Sequence, residues 1–233
     1  MAVGPMDGNT WRRYRLITER GPEPAFFLEP DNPDDWPAHF TEEGFAPLAT
    51  YFSALNSDLS RQDPRMTEVA GRLSQQGIKI RSAFADLEQD LPRIYSVSSI
   101  SFQKNFLYTP IEKQEFLTQY RKLLPYVRPE LVLLAEQQER TIGFVLALPD
   151  LLQTPRGGPT DTVIIKTVAV LPDASAEGLG SLLVARAQTV AQELGYARAI
   201  HALMHESNLS RRISGRYART MRRYALYSRS LVS

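Results

Sequence analysis

Two hydrophobic periods alternate along this chain, one of two residues and one of three to four, and they divide it into strands and helices. Residues 162–170 read Thr-Val-Ile-Ile-Lys-Thr-Val-Ala-Val, an apolar run in which Ile164, Val168 and Val170 suit a buried strand. It passes through Leu171 and Pro172 into a short loop that ends Glu177, Gly178, Leu179, Gly180. Beyond the loop, Leu182, Leu183, Ala187, Val190, Ala191 and Leu194 recur at three- and four-residue spacing. That spacing predicts a helix with one buried face, and Gly195 stops it. Residues 197–204 predict a further strand, ending at His205, Glu206, Ser207 and Asn208. Upstream, residues 78–84 alternate as a strand and residues 86–105 and 112–124 predict two helices, the second with Phe116, Tyr120, Leu123 and Leu124 inward. Residues 131–136 and 141–148 predict an antiparallel hairpin around a polar turn at 137–140, and 154–159 a loop.

The first eighty residues are patterned less regularly. Trp11 to Arg15 predict a helix start capped by Asn9 or Thr10, and residues 25–30 a short apolar strand. Residues 32–43 predict a helix with Pro33 in its first turn and Gly44 at its end, and residues 45–55 a strand. Residues 61–77, with Met66, Val69, Ala70 and Leu73, predict a connecting helix.

Composition narrows the chemistry. A chain of 233 residues buries a substantial core as one large or two small domains. Cysteine is absent, which excludes disulfides, thiolate catalysis and Cys-type zinc sites. No carboxylate or histidine cluster stands at metal spacing, so no metal is expected, and no G-x-S-x-G serine motif occurs. No apolar run reaches the roughly 18 residues of a membrane span, and the first residues lack a signal-peptide pattern, so no membrane partner and a cytoplasmic location are expected. The net charge of +1 conceals a basic end: Arg211, Arg212, Arg216, Arg219, Arg222, Arg223 and Arg229 follow Leu209 with no Asp or Glu among them. These arginines form a solvated basic face, contact phosphates of a ligand, or meet a nucleic acid or acidic partner. Ile213, Tyr217, Met221 and Tyr224 recur among them as in a folded helix followed by a closing strand over residues 224–231, so a nucleic-acid arm is not expected.

The loop before the helix at 181 carries the most specific chemistry. Glycines let a backbone approach a ligand closely, and first-turn N–H groups have no partner within the helix. The two together make an anion cradle. A dinucleotide fingerprint needs a third glycine three residues after the second, and that position is Leu183. The order of apolar strand, V-x-V-x-P, short loop, G-x-G and amphipathic helix resembles instead the pyrophosphate-binding motif of the GNAT superfamily of acyl-CoA-dependent N-acyltransferases. Its pattern, Gln/Arg-x-x-Gly-x-Gly/Ala, falls on Ser175, Ala176, Glu177, Gly178, Leu179 and Gly180, both glycines matching and Ser175 standing in the cationic position.

The resemblance implies an α/β fold with a GNAT-like mixed, twisted, mostly antiparallel sheet flanked by helices, occupying residues 81–233. It implies coenzyme A or acetyl-CoA on the backbone of Ser175 through Ser181, with the pantetheine along Val168, Ala169 and Val170, and Asn208 opening the next helix. The chemistry implied is direct attack of an amine on the thioester, which needs a base, a polarised carbonyl and an acid for the thiolate. Tyr217, on the helix after Asn208, takes the acid's place, with Tyr224 as a more distant alternative. His205 and Glu206, at the end of their strand, are the candidate bases. Lys166 stands where some relatives carry a carboxylate and is expected to face solvent. Asn32, a helix, Gly44-Phe45 and Tyr51 are similar to the C-terminal portion of such a unit, so residues 1–80 read as a degenerate GNAT-like half-unit or an unrelated α/β extension. The leading function is acetyl transfer from acetyl-CoA to an amine, either a small molecule or a peptide. The alternatives are a non-catalytic acyl-CoA-binding module and an Arg-rich nucleic-acid-binding protein. Oligomeric state, a homodimer included, stays open.

Overall fold

The computed structural model of the protein describes residues 1–83, 86–207 and 213–231. Its helices are α1 (Trp36–Glu42), α2 (Arg65–Gln75), α3 (Leu91–Ser101), α4 (Lys113–Arg121) and α5 (Leu179–Glu193). Its strands are β1 (Ala2–Gly4), β2 (Leu16–Glu19), β3 (Ala46–Asn56), β4 (Ile78–Ser82), β5 (Val132–Gln137), β6 (Arg140–Pro149), β7 (Thr162–Val170), β8 (Arg198–His205) and β9 (Arg219–Arg229). They form one sheet in the order β1-β9-β3-β8-β7-β6-β5-β4, with β2 also paired to β9. Only β7 and β8 run parallel, and α5 is the crossover that a parallel pair requires. The β5–β6 hairpin closes through Gln138 and Glu139, both at positive φ, the backbone of a two-residue turn matched to strand twist.

Strands β6 and β7 are buried along consecutive residues, so both faces of the sheet are covered. Helix α5 packs on β5, β6 and β7 beside α2, and α3 packs on β6 and β7 beside α4. Phe26, Leu55, Leu59, Met66 and Leu73 belong to the same hydrophobic cluster as Phe144, Val163 and Leu183. Strand β3 lies between β8 and β9. The boundary expected at residue 80 thus falls within β4, and strands from both sides of it share the sheet. Among the described residues no helix is long and apolar enough to cross a membrane.

Several local expectations change. Residues 11–15 form no helix: the Trp11 amide donates to Asn9 Oδ1 in a tight turn, and the chain doubles back so that Met6 bridges Tyr14. Residues 25–30 form a turn rather than a strand, with the Glu29 amide on Phe26 O and the Glu29 side chain drawn to Arg222. The helix expected at 86–105 is a short 3-10 turn followed by α3, whose first turn contains Pro92. In the Arg-rich end the strand expected from Tyr224 to Leu231 forms but begins earlier: β9 starts at Arg219, so Met221 is a strand residue, and described helix is limited to Ile213 and Ser214. The three-to-four spacing of those apolar residues yields to the long ladder that β9 makes with β3.

Candidate active site

The parallel pairing of β7 and β8 stops at Ile165 with His201, although β7 continues to Val170 and β8 to His205. Two bulges accompany the divergence. One lies in β7 opposite Leu146 and Ala147 and holds Lys166; the other lies in β8 around Leu203, whose φ is 57°. Bulges bend a strand and free backbone groups from the ladder. The Leu203 N–H donates to Ser53 Oγ (3.1 Å) and its carbonyl accepts from Arg15 Nη1 (3.1 Å).

The edge of β7 facing this gap follows from its register with β6. Leu171 N donates to Ile142 O, so alternation makes Ala169 with Phe144 the next hydrogen-bonded pair. Ala169 therefore spends its backbone groups on β6 and is not available to a ligand, contrary to expectation. Val168 and Val170 turn theirs toward the gap. The Val170 carbonyl accepts from Ser101 Oγ (3.0 Å) and keeps a second lone pair.

The glycine loop stands at the end of β7. Gly178 caps α5 at φ 84°, a left-handed conformation that L residues avoid, and a Cβ there would lie 3.1 Å from Val69 Cγ1. Its carbonyl accepts from Leu182 N, which closes the first helical turn. Ala176 N and Leu179 N donate to Ala174 O and Ala176 O, so they are already engaged. Among the described hydrogen bonds, the amides of Glu177, Gly178, Gly180 and Ser181 are left to receive an anion at the positive end of the helix. Ser175 is exposed and makes no described contact with the cradle.

Sequence reasoning missed Arg72. From α2 its Nη2 donates to Glu177 O (2.7 Å), which brings a guanidinium to the loop whose own leading position is Ser175. The contact spans 105 residues, and no local pattern marks it.

The candidate catalytic groups do not converge on one point. The turn that carries Tyr217 abuts the loop, with Ile213 Cδ1 3.7 Å from where a Cβ on Gly180 would lie. The Tyr217 hydroxyl is buried without a hydrogen-bond partner. Burial, then the nearby Asp63 charge, raises its pKa, so the phenol stays protonated at neutral pH. His205 lies edge-on to Tyr51 and near Phe106. Burial and then Arg15 lower its pKa, while Glu206 opposes them. The Ser207 amide, which only donates, points at His205 Nδ1 (3.1 Å). The neutral ring therefore carries its proton on Nε2 and offers a donor rather than a base. Glu206 is ion-paired through Oε1 with Arg223 Nη1 (2.7 Å). Tyr224, the alternative acid, is consumed: its fully buried hydroxyl bonds Glu29 and Ser53. Lys166 is half-buried rather than solvent-facing, and burial followed by Arg15 lowers its pKa. Asn208 lies outside the described residues.

A buried histidine missed by the sequence reading, His201, stands where β7 and β8 part. Its Nδ1 is 2.6 Å from Ser214 Oγ, its Nε2 has no partner, and burial pulls its pKa down to about 4. The unfolded chain takes up this proton near the ordinary value of about 6.5. Stability is therefore present above that value and is lost as pH falls from about 6.5 to about 4, on the order of 3 kcal/mol in all. Urea midpoints at pH 7 and pH 5 should show this slope in the wild type and its loss in His201→Gln.

The comparisons with known proteins agree with this arrangement. The model of the Acetyltransferase (GNAT) family matches residues 91–212, more than half of the chain, from α3 through the gap and the glycine loop. Among solved structures, a GCN5-related N-acetyltransferase from Sphaerobacter thermophilus is similar at TM-score 0.59 and 16% identity, over 82% of this chain and 54% of that one. A GCN5-related glucosamine N-acetyltransferase region of a fungal multi-domain GH3 beta-N-acetylglucosaminidase is similar at TM-score 0.60 and 17% identity, over 82% of this chain and 22% of that one. L-PGS from Bacillus licheniformis is similar at TM-score 0.51 and 12% identity, over 86% of this chain and 67% of that one. The chain thus spans about half of the first of these and under a quarter of the second. No curated protein sequence matches it. From the family match and the strand, loop and helix that it covers, the chain belongs to the GNAT acetyltransferase family.

Proposed function

We propose that the protein transfers an acetyl group from acetyl-CoA to an amine by direct attack. The observation that carries this reading is the divergence of β7 from β8 beside a helix N-terminus with four uncommitted amides. Coenzyme A lies with its pyrophosphate on Glu177, Gly178, Gly180 and Ser181, where Arg72 adds positive charge. Its pantetheine amides pair with the free backbone of Val168 and Val170, which lays the thioester into the gap. The amine nitrogen attacks the thioester carbon, and a tetrahedral oxyanion forms and collapses. The C–S bond breaks, and the thiolate takes a proton. Tyr217, buried and protonated, supplies that proton, and Glu206 receives the one that the amine loses, directly or through water. Holding both reactants in one gap removes most of the entropic barrier to their encounter.

The rival reading, a non-catalytic acyl-CoA-binding module, rests on Ser175 in the cationic position of the loop. A nucleic-acid function is disfavoured because Arg216, Arg222, Arg223 and Arg229 each have partners inside the chain. Release of the coenzyme A thiol across a panel of amines separates catalysis from binding alone. Tyr217→Phe should lower turnover about a hundredfold and leave acetyl-CoA affinity unchanged. Full turnover in that variant would remove Tyr217 from the mechanism.

A further inference from the structure

Arg15 is held in a strained and largely buried position where its charge meets aromatic rings rather than a carboxylate among the described residues. Its backbone sits at φ 73°, a region that non-glycine residues avoid, and the residue is only 7% exposed. The guanidinium carbon lies 3.8 Å from the Tyr14 ring centre and 4.1 Å from that of Tyr51. Nη1 is committed to Leu203 O, whereas Nε is buried with no partner. No carboxylate pairs with Arg15 among the described residues; the groups that favour its charge are Tyr14, Tyr51 and Tyr224. A second cation, Lys166, stands close enough to feel Arg15 and likewise has no ion pair among the described residues. Glu206, the carboxylate acting on nearby His205, is held by Arg223. A buried guanidinium without a counter-ion is unfavourable, and an anion entering beside it would also hold the half-buried Lys166 in its charged form.

Their position says what that anion belongs to. Arg15 reaches β8 at Leu203, and Lys166 begins the free half of β7, so the two cations flank the gap in which the thioester is placed. The phosphates of coenzyme A are accounted for at the other end, on the α5 N-terminus. The unpartnered Nε of Arg15 lies on the Nε–Nη2 edge, the edge by which Arg65 grips both oxygens of Asp63 in this same chain, each at 2.8 Å. Such an edge matches a planar carboxylate in a two-point contact.

We propose that Arg15 and Lys166 bind a carboxylate of the acceptor, so that the substrate is an amine that also carries a carboxylate, as an amino acid does. This rests on the acyl-transfer reading for its place in the reaction, and on Arg15 alone for the existence of the anion site. It follows that the N-terminal segment, outside the matched residues 91–212, selects the acceptor.

The test uses amino acids against their primary amides, with rates compared per unprotonated amine because the amide also lowers the amine pKa, and adds phosphoethanolamine as a phosphate-bearing arm. Thiol release from acetyl-CoA should favour the acids over the amides by about tenfold or more in kcat/KM, the worth of one charge-assisted contact. Lys166→Gln should raise KM for the acid about tenfold, erase the preference and leave acetyl-CoA affinity by calorimetry unchanged. Arg15→Gln should do the same, and Lys166→Gln decides if that variant fails to fold. Acetylation of amides and acids at equal rates would overturn the inference while sparing the acyl-transfer reading. Preference for phosphoethanolamine would overturn the carboxylate assignment. If acetyl-CoA does not bind, the acyl-transfer reading fails, and the anion site is then decided by thermal stabilisation. Stabilisation by the acids but not the amides, abolished in Lys166→Gln, supports the site, and no difference between them overturns it.

Discussion

Glu29→Ala is expected to destabilise the protein by about 3–5 kcal/mol, the cost of breaking one side of a buried ion pair. The side chains of Arg222 and Glu29 are 0% and 1% exposed and meet at 2.5 Å. Glu29 Oε1 also accepts from the Tyr224 hydroxyl, and Arg222 donates to the backbone carbonyls of Arg20 and Glu23. Tyr224 in turn bonds Ser53, whose Oγ accepts from Leu203 N at the β8 bulge. Removing the carboxylate strands a guanidinium in the interior and withdraws one anchor of the chain of contacts that ends at the gap. Urea unfolding should show the shift in midpoint. A variant that unfolds within about 1 kcal/mol of the wild type would show that water or a neighbour replaces the pair.

Gly178→Val and Gly180→Ala are expected to set apart the two glycines of the loop. Valine at position 178 meets a left-handed backbone and a Cβ contact of 3.1 Å with Val69. It should cost about 2–4 kcal/mol of stability and abolish acetyl-CoA binding with it. At Gly180 the nearest atoms to an added Cβ are Ile213 Cδ1 and Val170 Cγ2, at 3.7 and 3.9 Å, which is ordinary contact. Alanine there should leave stability equal or slightly raised, because it suits a helix better than glycine. The motif admits alanine at this place and the added methyl group faces Ile213 and Val170, so acetyl-CoA affinity should stay close to that of the wild type. Calorimetry with melting curves checks both. Wild-type affinity in Gly178→Val would place the pyrophosphate elsewhere.

What the sequence made legible was local. The strand at 162–170, the hairpin around 137–140 and the helix stopped by Gly195 depend on periodicity and turn residues, and they formed where expected. The loop glycines were legible because positive φ and close approach restrict residue choice. What remained hidden was long-range. The place of β3 between β8 and β9, the reach of Arg72 to Glu177 and the burial of Arg15 depend on pairings that no window of sequence contains. Arg222, one of the basic residues of the Arg-rich end, and Glu29, in an expected short strand, are brought together across 193 residues. At the Arg-rich end, apolar spacing fitted a helix as well as a strand, and only the ladder to β3 decided between them.

In the proposed complex acyl-CoA lies in the gap between β7 and β8 with its pyrophosphate on the first turn of α5. Backbone amide resonances followed through a titration with acetyl-CoA test it most directly. Saturable shifts are expected at Glu177, Gly178, Gly180, Ser181, Val168 and Val170, with Ala169 moving less because its backbone is held by β6. Shifts confined to other surfaces, such as the Arg219–Arg229 strand, or none at millimolar acetyl-CoA, would contradict it.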